Sequence, residues 1–307
     1  MFKDDINVVK LDQNEIIQVG DKRDTAKLVE DFYTDNPFPN YEVHETIFDL
    51  RNKVEGNEFI VNFNKLVGLG KRVIEVGSGT SQLSIALASG TNNQLVAFDP
   101  TLESLRLGSE FSMKFGVSNC IFVNGDLFSN PFMKEYFDIV WCSGVLHHTE
   151  NPKKGFNIIT TWLKPEGYVI VGLYNIYGRF RTVFRQKLFQ LLGSGKFARY
   201  IVSLLDPILR QDISEEKKNA WFQDQYQHPV ESLHTLDEVL EWFDRNNIEF
   251  MSSIPTCDLE SVNYEKMFLK QDKGNVVTRV LSQIGMLFSP LGAEGGLFLV
   301  IGKKKQP

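Results

Sequence analysis

The chain has 307 residues, 42% of them hydrophobic and 23% charged, which argues against disorder or a fibrous repeat and fits one large or two small globular domains. Its formal net charge of −6 argues against a general nucleic-acid binder, whose surface would be basic. Three cysteines without a CxxC pair, an acidic N-terminus in place of a signal sequence, and no apolar run of about 20 residues lead to the expectation of a cytoplasmic protein with no membrane span.

The first 70 residues hold 14 Asp and Glu against 8 Lys and Arg. Within them, Asp31-Phe-Tyr-Thr-Asp-Asn-Pro-Phe-Pro-Asn-Tyr41 contains Pro37 and Pro39, which predict an extended aromatic segment, either a strap over the body or a lid over a pocket. From Lys71 onward short apolar runs alternate with helix-length segments. Strands are predicted at 72–76, 94–99, 120–123, 137–141 and 168–173, and helices at 81–89, 102–115 and 152–162, the last with proline in its first turn. Such alternation predicts a parallel sheet covered on both faces. After Leu173 the rhythm breaks. Residues 176–210 carry seven Lys and Arg against Asp206 alone. With Arg179, Arg181, Arg185 and Lys187 interleaved among apolar residues, they read as a helical cap with a solvated basic face, or as a membrane-surface helix or a cap for a lipid or anionic substrate. Thr235 and Glu238 have capping-box spacing ahead of an amphipathic helix ending near Asn246, and strands follow near Phe250 and at 295–301.

The most informative stretch is Val73-Ile-Glu-Val-Gly-Ser-Gly-Thr-Ser81, a strand running into a glycine turn and then a helix. Glycine there lets the backbone turn tightly and approach a ligand, while helix N–H groups point at its polar atoms. Asp99 ends the next strand, 20 residues after Gly79, where an acid accepts two hydrogen bonds from a ribose. A dinucleotide fingerprint would put glycine at position 82, where Gln82 stands, and no Tyr-x-x-x-Lys pair follows near the fifth strand; both disfavour a nicotinamide-dependent oxidoreductase. No metal is expected, because His228 and His234 are six apart with no neighbouring Cys or HExxH pattern. No GxSxG elbow supports nucleophilic catalysis.

The pattern Glu75-x-Gly77-x-Gly79 resembles the glycine motif of class I S-adenosylmethionine (SAM)-dependent methyltransferases. The resemblance continues in order through Asp99, Asn124-Gly-Asp-Leu127, Phe137-Asp-Ile-Val-Trp-Cys-Ser-Gly-Val-Leu-His-His148 and Leu163-Lys-Pro-Glu-Gly167, with Ser81 and Glu166 standing where many members have glycine. It implies an α/β fold with a Rossmann-like, mostly parallel seven-stranded sheet. It also implies a SAM cofactor held by Glu75, Gly77, Ser78, Gly79, Asp99, Asp126, Leu127 and Ser143, with Asp99 on the ribose hydroxyls, Asp126 on the adenine amine and Leu127 against the ring. Residues 71–307 would form the methyltransferase domain with a helical insertion at about 174–232, and residues 1–70 a strap. More loosely, Asn36–Tyr41, the turn at 173–179 and residues 224–229 resemble a poorly characterised bacterial subgroup, which implies no substrate. The expected activity is methyl transfer to a small-molecule or lipid-like acceptor, with a non-catalytic SAM-binding or structural subunit as the alternative, ahead of the nicotinamide-dependent oxidoreductase disfavoured above.

A sulfonium methyl is already activated, so the main needs are alignment and a desolvated pocket, and a base is required only where the nucleophile holds a proton. His147 and His148, following the fourth predicted strand, are the candidate bases, although adjacent residues point to different faces. Tyr174, Tyr177, Tyr226 and His228 are candidates for the acceptor pocket, each otherwise a packing or surface residue.

Overall fold

The computed structural model describes all residues except 12–14, 35, 36, 38–40, 42, 43, 290–294 and 307. The N-terminal segment contributes β1 (Val8–Leu11), β2 (Ile16–Val19), α1 (Asp24–Thr34), α2 (Ile47–Glu55) and α3 (Glu58–Val67). Then come β3 (Arg72–Val76), α4 (Gln82–Ala88), β4 (Gln94–Asp99), α5 (Leu102–Lys114), β5 (Cys120–Gly125), β6 (Phe137–Ser143), α6 (Pro152–Trp162) and β7 (Leu163–Tyr174). The chain continues through α7 (Phe180–Leu191), α8 (Lys196–Leu205), α9 (Glu215–Tyr226), α10 (Leu236–Arg245), β8 (Ile248–Ile254), α11 (Val276–Gly285) and β9 (Leu297–Lys304).

Among the described residues the strands form one sheet in the order β1-β2-β5-β4-β3-β6-β7-β9-β8. The pairs from β2 to β7 are parallel, whereas β1 on β2 and β9 on both its neighbours are antiparallel. The expected seven strands are all present, and the count is corrected to nine. β1 and β2, four residues each, are too short for a period-two pattern to stand out. β2 pairs its Ile17–Val19 with Val123–Gly125 and so covers what would be an open edge at β5.

Alternation along the central strands divides the core. Val96 and Phe98 of β4 face a layer containing Phe156 and Trp162 of α6 and Val239 and Phe243 of α10. Leu95 and Ala97 face the opposite layer, with Phe63 of α3, Ile85 of α4 and Leu105 of α5. β3 lies between β4 and β6, so the strand order reverses there, and a crevice opens beyond the carboxyl ends of these strands.

Three local expectations change. Asp31–Thr34 complete α1 rather than an extended strap, since a proline restrains its own backbone and the residue before it but nothing further upstream; residues 35, 36 and 38–40 of that segment lie outside the described residues. Tyr41, at its end, donates to the Thr80 carbonyl at 2.7 Å and stacks on Phe111. The fifth strand, predicted at 168–173, starts earlier: Leu163–Gly167 are part of β7, which accommodates them through a register shift opposite Phe137 and Ile139 and a left-handed Glu166 at φ +64°. Finally, Arg179 and Arg185 do not belong to a solvated basic face. Both are buried, Arg179 paired with Glu231 and Arg185 near Asp206, beside a small core of α7, α8 and α9 that includes Phe189, Val202 and Phe222. No helix among the described residues is long and apolar enough to cross a membrane.

Candidate functional site

A cavity of about 400 Å³ occupies the crevice, within the range of roughly 300–1,000 Å³ usual for ligand pockets. One side is built from the strand ends. β3 runs into Gly77, whose N–H donates to the Phe98 carbonyl at 2.7 Å. Gly77 has φ +68°, and a Cβ there would lie 2.2 Å from Cγ2 of Val145, so no side chain fits. Ser81 is also left-handed, at φ +63°, and its hydroxyl lies 3.2 Å from that of Ser78. Glu75 accepts from the Ser84 hydroxyl at 2.6 Å and its N–H at 3.0 Å, bracing α4 against β3. Burial raises its carboxyl pKa to about 7.

Asp99 accepts from the N–H groups of Gly79 (2.8 Å) and Thr101 (2.7 Å), which joins the glycine turn to the end of β4. Asp99 is 6% exposed and lines the cavity, and burial shifts its carboxyl pKa upward. Asp126 caps the turn after β5 by accepting from Phe128 N–H at 2.9 Å. Its remaining positions are occupied by Arg23, through Nε at 2.7 Å, Nη2 at 3.3 Å and the backbone N–H at 3.2 Å. Arg23 also lies 3.7 Å over the Phe128 ring and pairs with Glu150. A carboxylate has about four acceptor sites, so Asp126 is saturated by groups of the chain itself.

The other side draws on distant segments. Tyr33 of α1 donates to Asp224 of α9 at 2.6 Å, and the neighbouring Gln225 donates to Asp224 at 2.7 Å and to the Tyr174 hydroxyl at 3.0 Å. Burial raises the pKa of both tyrosines, so both are neutral phenols near neutral pH. Arg179 lies 3.4 Å over the Tyr174 ring and donates to Glu231, Gln225 and the Gly295 carbonyl. His148 closes this side, with Nδ1 2.8 Å from the Val230 carbonyl and its ring 3.6 Å from that of His228. Because a carbonyl only accepts, the proton sits on Nδ1 and Nε2 carries the lone pair. Burial lowers the His148 pKa, so the ring is neutral near neutral pH.

All eight residues singled out for a cofactor line this one cavity, as do His148 and Tyr174. The rest stand apart. His147 is fully buried behind the wall, its ring 3.9 Å from Tyr174 and both ring nitrogens without a hydrogen-bond partner among the described residues. His228 backs His148 without lining the cavity. Tyr226 donates to Asp206 inside the α7–α9 core, and the half-buried Tyr177 belongs to the turn before α7. Sequence reasoning missed Arg23, Tyr33, Trp221 and Asp224 as lining residues. The aromatic run containing Tyr33 and the resemblance at 224–229, which begins with Asp224, signalled two of the segments; the pairing of α1 with α9 leaves no local pattern.

Residues 69–244, more than half of the chain, match the family described as methyltransferase domain. The chain belongs to this family. With the strand order above, the chain has the class I methyltransferase fold. An uncharacterized protein of Synechococcus is 26% identical over 198 residues, covering 59% of this chain and 48% of that protein. A demethylmenaquinone methyltransferase of Renibacterium salmoninarum is 28% identical over 160 residues, covering 52% of this chain and 65% of that enzyme. The chain thus matches between about half and two thirds of the length of these relatives. The solved structure of PKMT2 from Rickettsia typhi in complex with AdoHcy shares the fold, with a TM-score of 0.55 at 13% identity over 81% of this chain and 53% of that one.

Proposed function

We propose that the protein transfers a methyl group from SAM to a small-molecule or lipid-like acceptor within the described cavity. The observation that carries the proposal is the joining of Asp99 to the Gly77–Gly79 turn on one wall, opposite Tyr33, Tyr174, His148 and Asp224 on the other. The site fits such a cofactor: a cradle that a Cβ would fill and a buried acid suited to ribose hydroxyls. Gly77, Ser78 and Gly79 would bound its amino-acid end, Glu75 would support that turn, Asp99 would hold the sugar, and Leu127 and Ser143 would flank the remainder. Asp126 would reach an adenine amine only with Arg23 withdrawn, since its acceptor sites are occupied.

Bound SAM supplies a methyl group on a leaving sulfonium. The chain's own task is alignment and the exclusion of water. His148 presents a neutral imidazole with its free lone pair on Nε2, able to accept a proton from a hydroxyl or acidic carbon; His147 supports the wall behind it. The paired phenols and Asp224 would orient the acceptor. On this proposal residues 71–307 are the catalytic domain, the helices at about 174–232 supply the acceptor wall, and residues 1–70 roof the cavity.

Calorimetry with SAM and S-adenosylhomocysteine tests it. Asp99→Ala is expected to weaken binding roughly a hundredfold, as two charge-assisted hydrogen bonds of about 1.5 kcal/mol each are lost. Unchanged affinity removes Asp99 from the site, and binding without turnover in any extract fraction supports a non-catalytic subunit.

A further inference from the structure

Helices α7 and α8 each have two apolar faces. The inner faces pack: Phe189 of α7 and Ala198 and Val202 of α8 are buried with Phe222 and Tyr226 of α9. The outer faces stand in solvent. Phe180, Phe184 and Leu191 share one side of α7 at 63%, 60% and 84% exposure, and Phe197, Tyr200 and Leu204 share one side of α8 at 66%, 60% and 50%. Exposed apolar bulk gathered on two adjoining helices is the mark of an interaction surface rather than of ordinary scatter.

Charge selects the partner. From Ile176 to Leu205 the sequence contains no acidic residue. Arg179 and Arg185 are buried beside Glu231 and Asp206, whereas Arg181, Lys187 and Lys196 are exposed. With the paired Arg179 and Arg185 set aside, the segment still carries four cations, Arg181, Lys187, Lys196 and Arg199, and no acid, in a chain whose net charge is −6, so surface positive charge gathers here. A second copy docking through the same face would place two cationic surfaces together. A nucleic acid would leave the phenylalanine and leucine stripes wet.

We propose that the α7–α8 hairpin is a docking surface for an anionic lipid bilayer. The six exposed apolar side chains enter the boundary between headgroups and acyl chains, and the exposed cations meet the negative headgroups. α9 presents Phe222 and Tyr226 to the hairpin and Trp221, Asp224 and Gln225 to the cavity, so docking holds the cavity one helix from the lipid surface. The proposal concerns where the protein sits and stands independently of methyl transfer.

Co-sedimentation with phosphatidylcholine vesicles, with and without phosphatidylserine, tests it. The protein is expected to pellet with the anionic vesicles and remain in solution with the neutral ones. The double variants Phe184→Ser/Phe197→Ser and Arg181→Glu/Lys187→Glu should each lower the partition coefficient about tenfold or more while keeping the wild-type circular dichroism melt. Four outcomes overturn the proposal: no pelleting with anionic vesicles, equal pelleting with both kinds, variants that pellet like wild type, or a wild-type dimer in sedimentation velocity that Phe184→Ser/Phe197→Ser dissolves.

Discussion

On one side of the cavity most polar groups are tied to elements no more than 20 positions away in sequence, Glu75 to Ser84 and Asp99 to Gly79 and Thr101. On the other, Tyr33 and Asp224 meet across 191 positions of sequence, and Tyr174, Gln225 and His148 arrive from β7, α9 and the turn after β6. The first wall is made by short-range backbone chemistry, so it is preorganised once the central sheet forms. The second exists only when α1 and α9 dock on that sheet. Asp126 links the two, being capped locally by Phe128 yet held by Arg23 from 103 residues away. A change in the first wall should therefore damage cofactor binding and the fold together, whereas a change in the second should affect transfer and spare the cofactor.

The sharpest way to break that contrast is Gly77→Ala. The left-handed backbone and the overlap with Val145 should together cost about 3 kcal/mol in denaturant unfolding, with cofactor affinity falling in parallel. A wild-type midpoint would show that the turn is not preorganised. Next, Tyr33→Phe leaves Asp224 without its 2.6 Å donor. It should cost about 1 kcal/mol of stability and about tenfold in methyl transfer while SAM affinity is unchanged in calorimetry. Equal losses in binding and transfer would merge the two walls into one unit.

Acidity separates the walls by sign. Burial holds His147 and His148 below the ordinary histidine range and brings His228 down to about 3. Between about pH 6.5 and 3 the unfolded chain therefore binds protons that the folded one refuses, and stability falls as pH falls. Glu75, raised from 4.5 to about 7, does the reverse, since the folded state binds the extra proton in that window and stability falls as pH rises. Glu75→Gln should steepen the loss of thermal stability from pH 7 to 5, and His228→Gln should flatten the loss below about pH 6.5. Three parallel melting curves would reject these assignments. The smallest effect is expected from Ser81→Gly, which relieves a left-handed serine and loses the long hydroxyl contacts to Ser78 and the Gly79 carbonyl; it should stabilise by about 1 kcal/mol or less. Destabilisation would mean that the Ser78–Ser81 contact outweighs the backbone strain.

Glycine positions show both the reach of sequence reasoning and its limit. Gly77 and Gly79 were legible because only glycine enters such a turn without strain, and both have positive φ. Ser81 and Glu166, noted in the sequence only as departures from a glycine pattern, adopt the same left-handed region at φ +63° and +64°. Here the backbone path overrides residue preference. The paired histidines teach a similar lesson. Adjacency shows that they face different ways, but only the peptide geometry after β6, and the Val230 carbonyl that holds His148, decides which lines the cavity.

From the amino-acid order alone come the alternation of strand and helix, the glycine turn with its following acid, and the family, because period, turn chemistry and spacing are local properties written into consecutive residues. Tertiary structure alone decided that Arg23 saturates Asp126, that Tyr33 meets Asp224, that two short strands extend the sheet, and that two of the arginines in the basic segment are internal. Each of these depends on which surfaces remain unsatisfied after the central sheet has formed, and distant segments settle there by burial and pairing that no short window of sequence records.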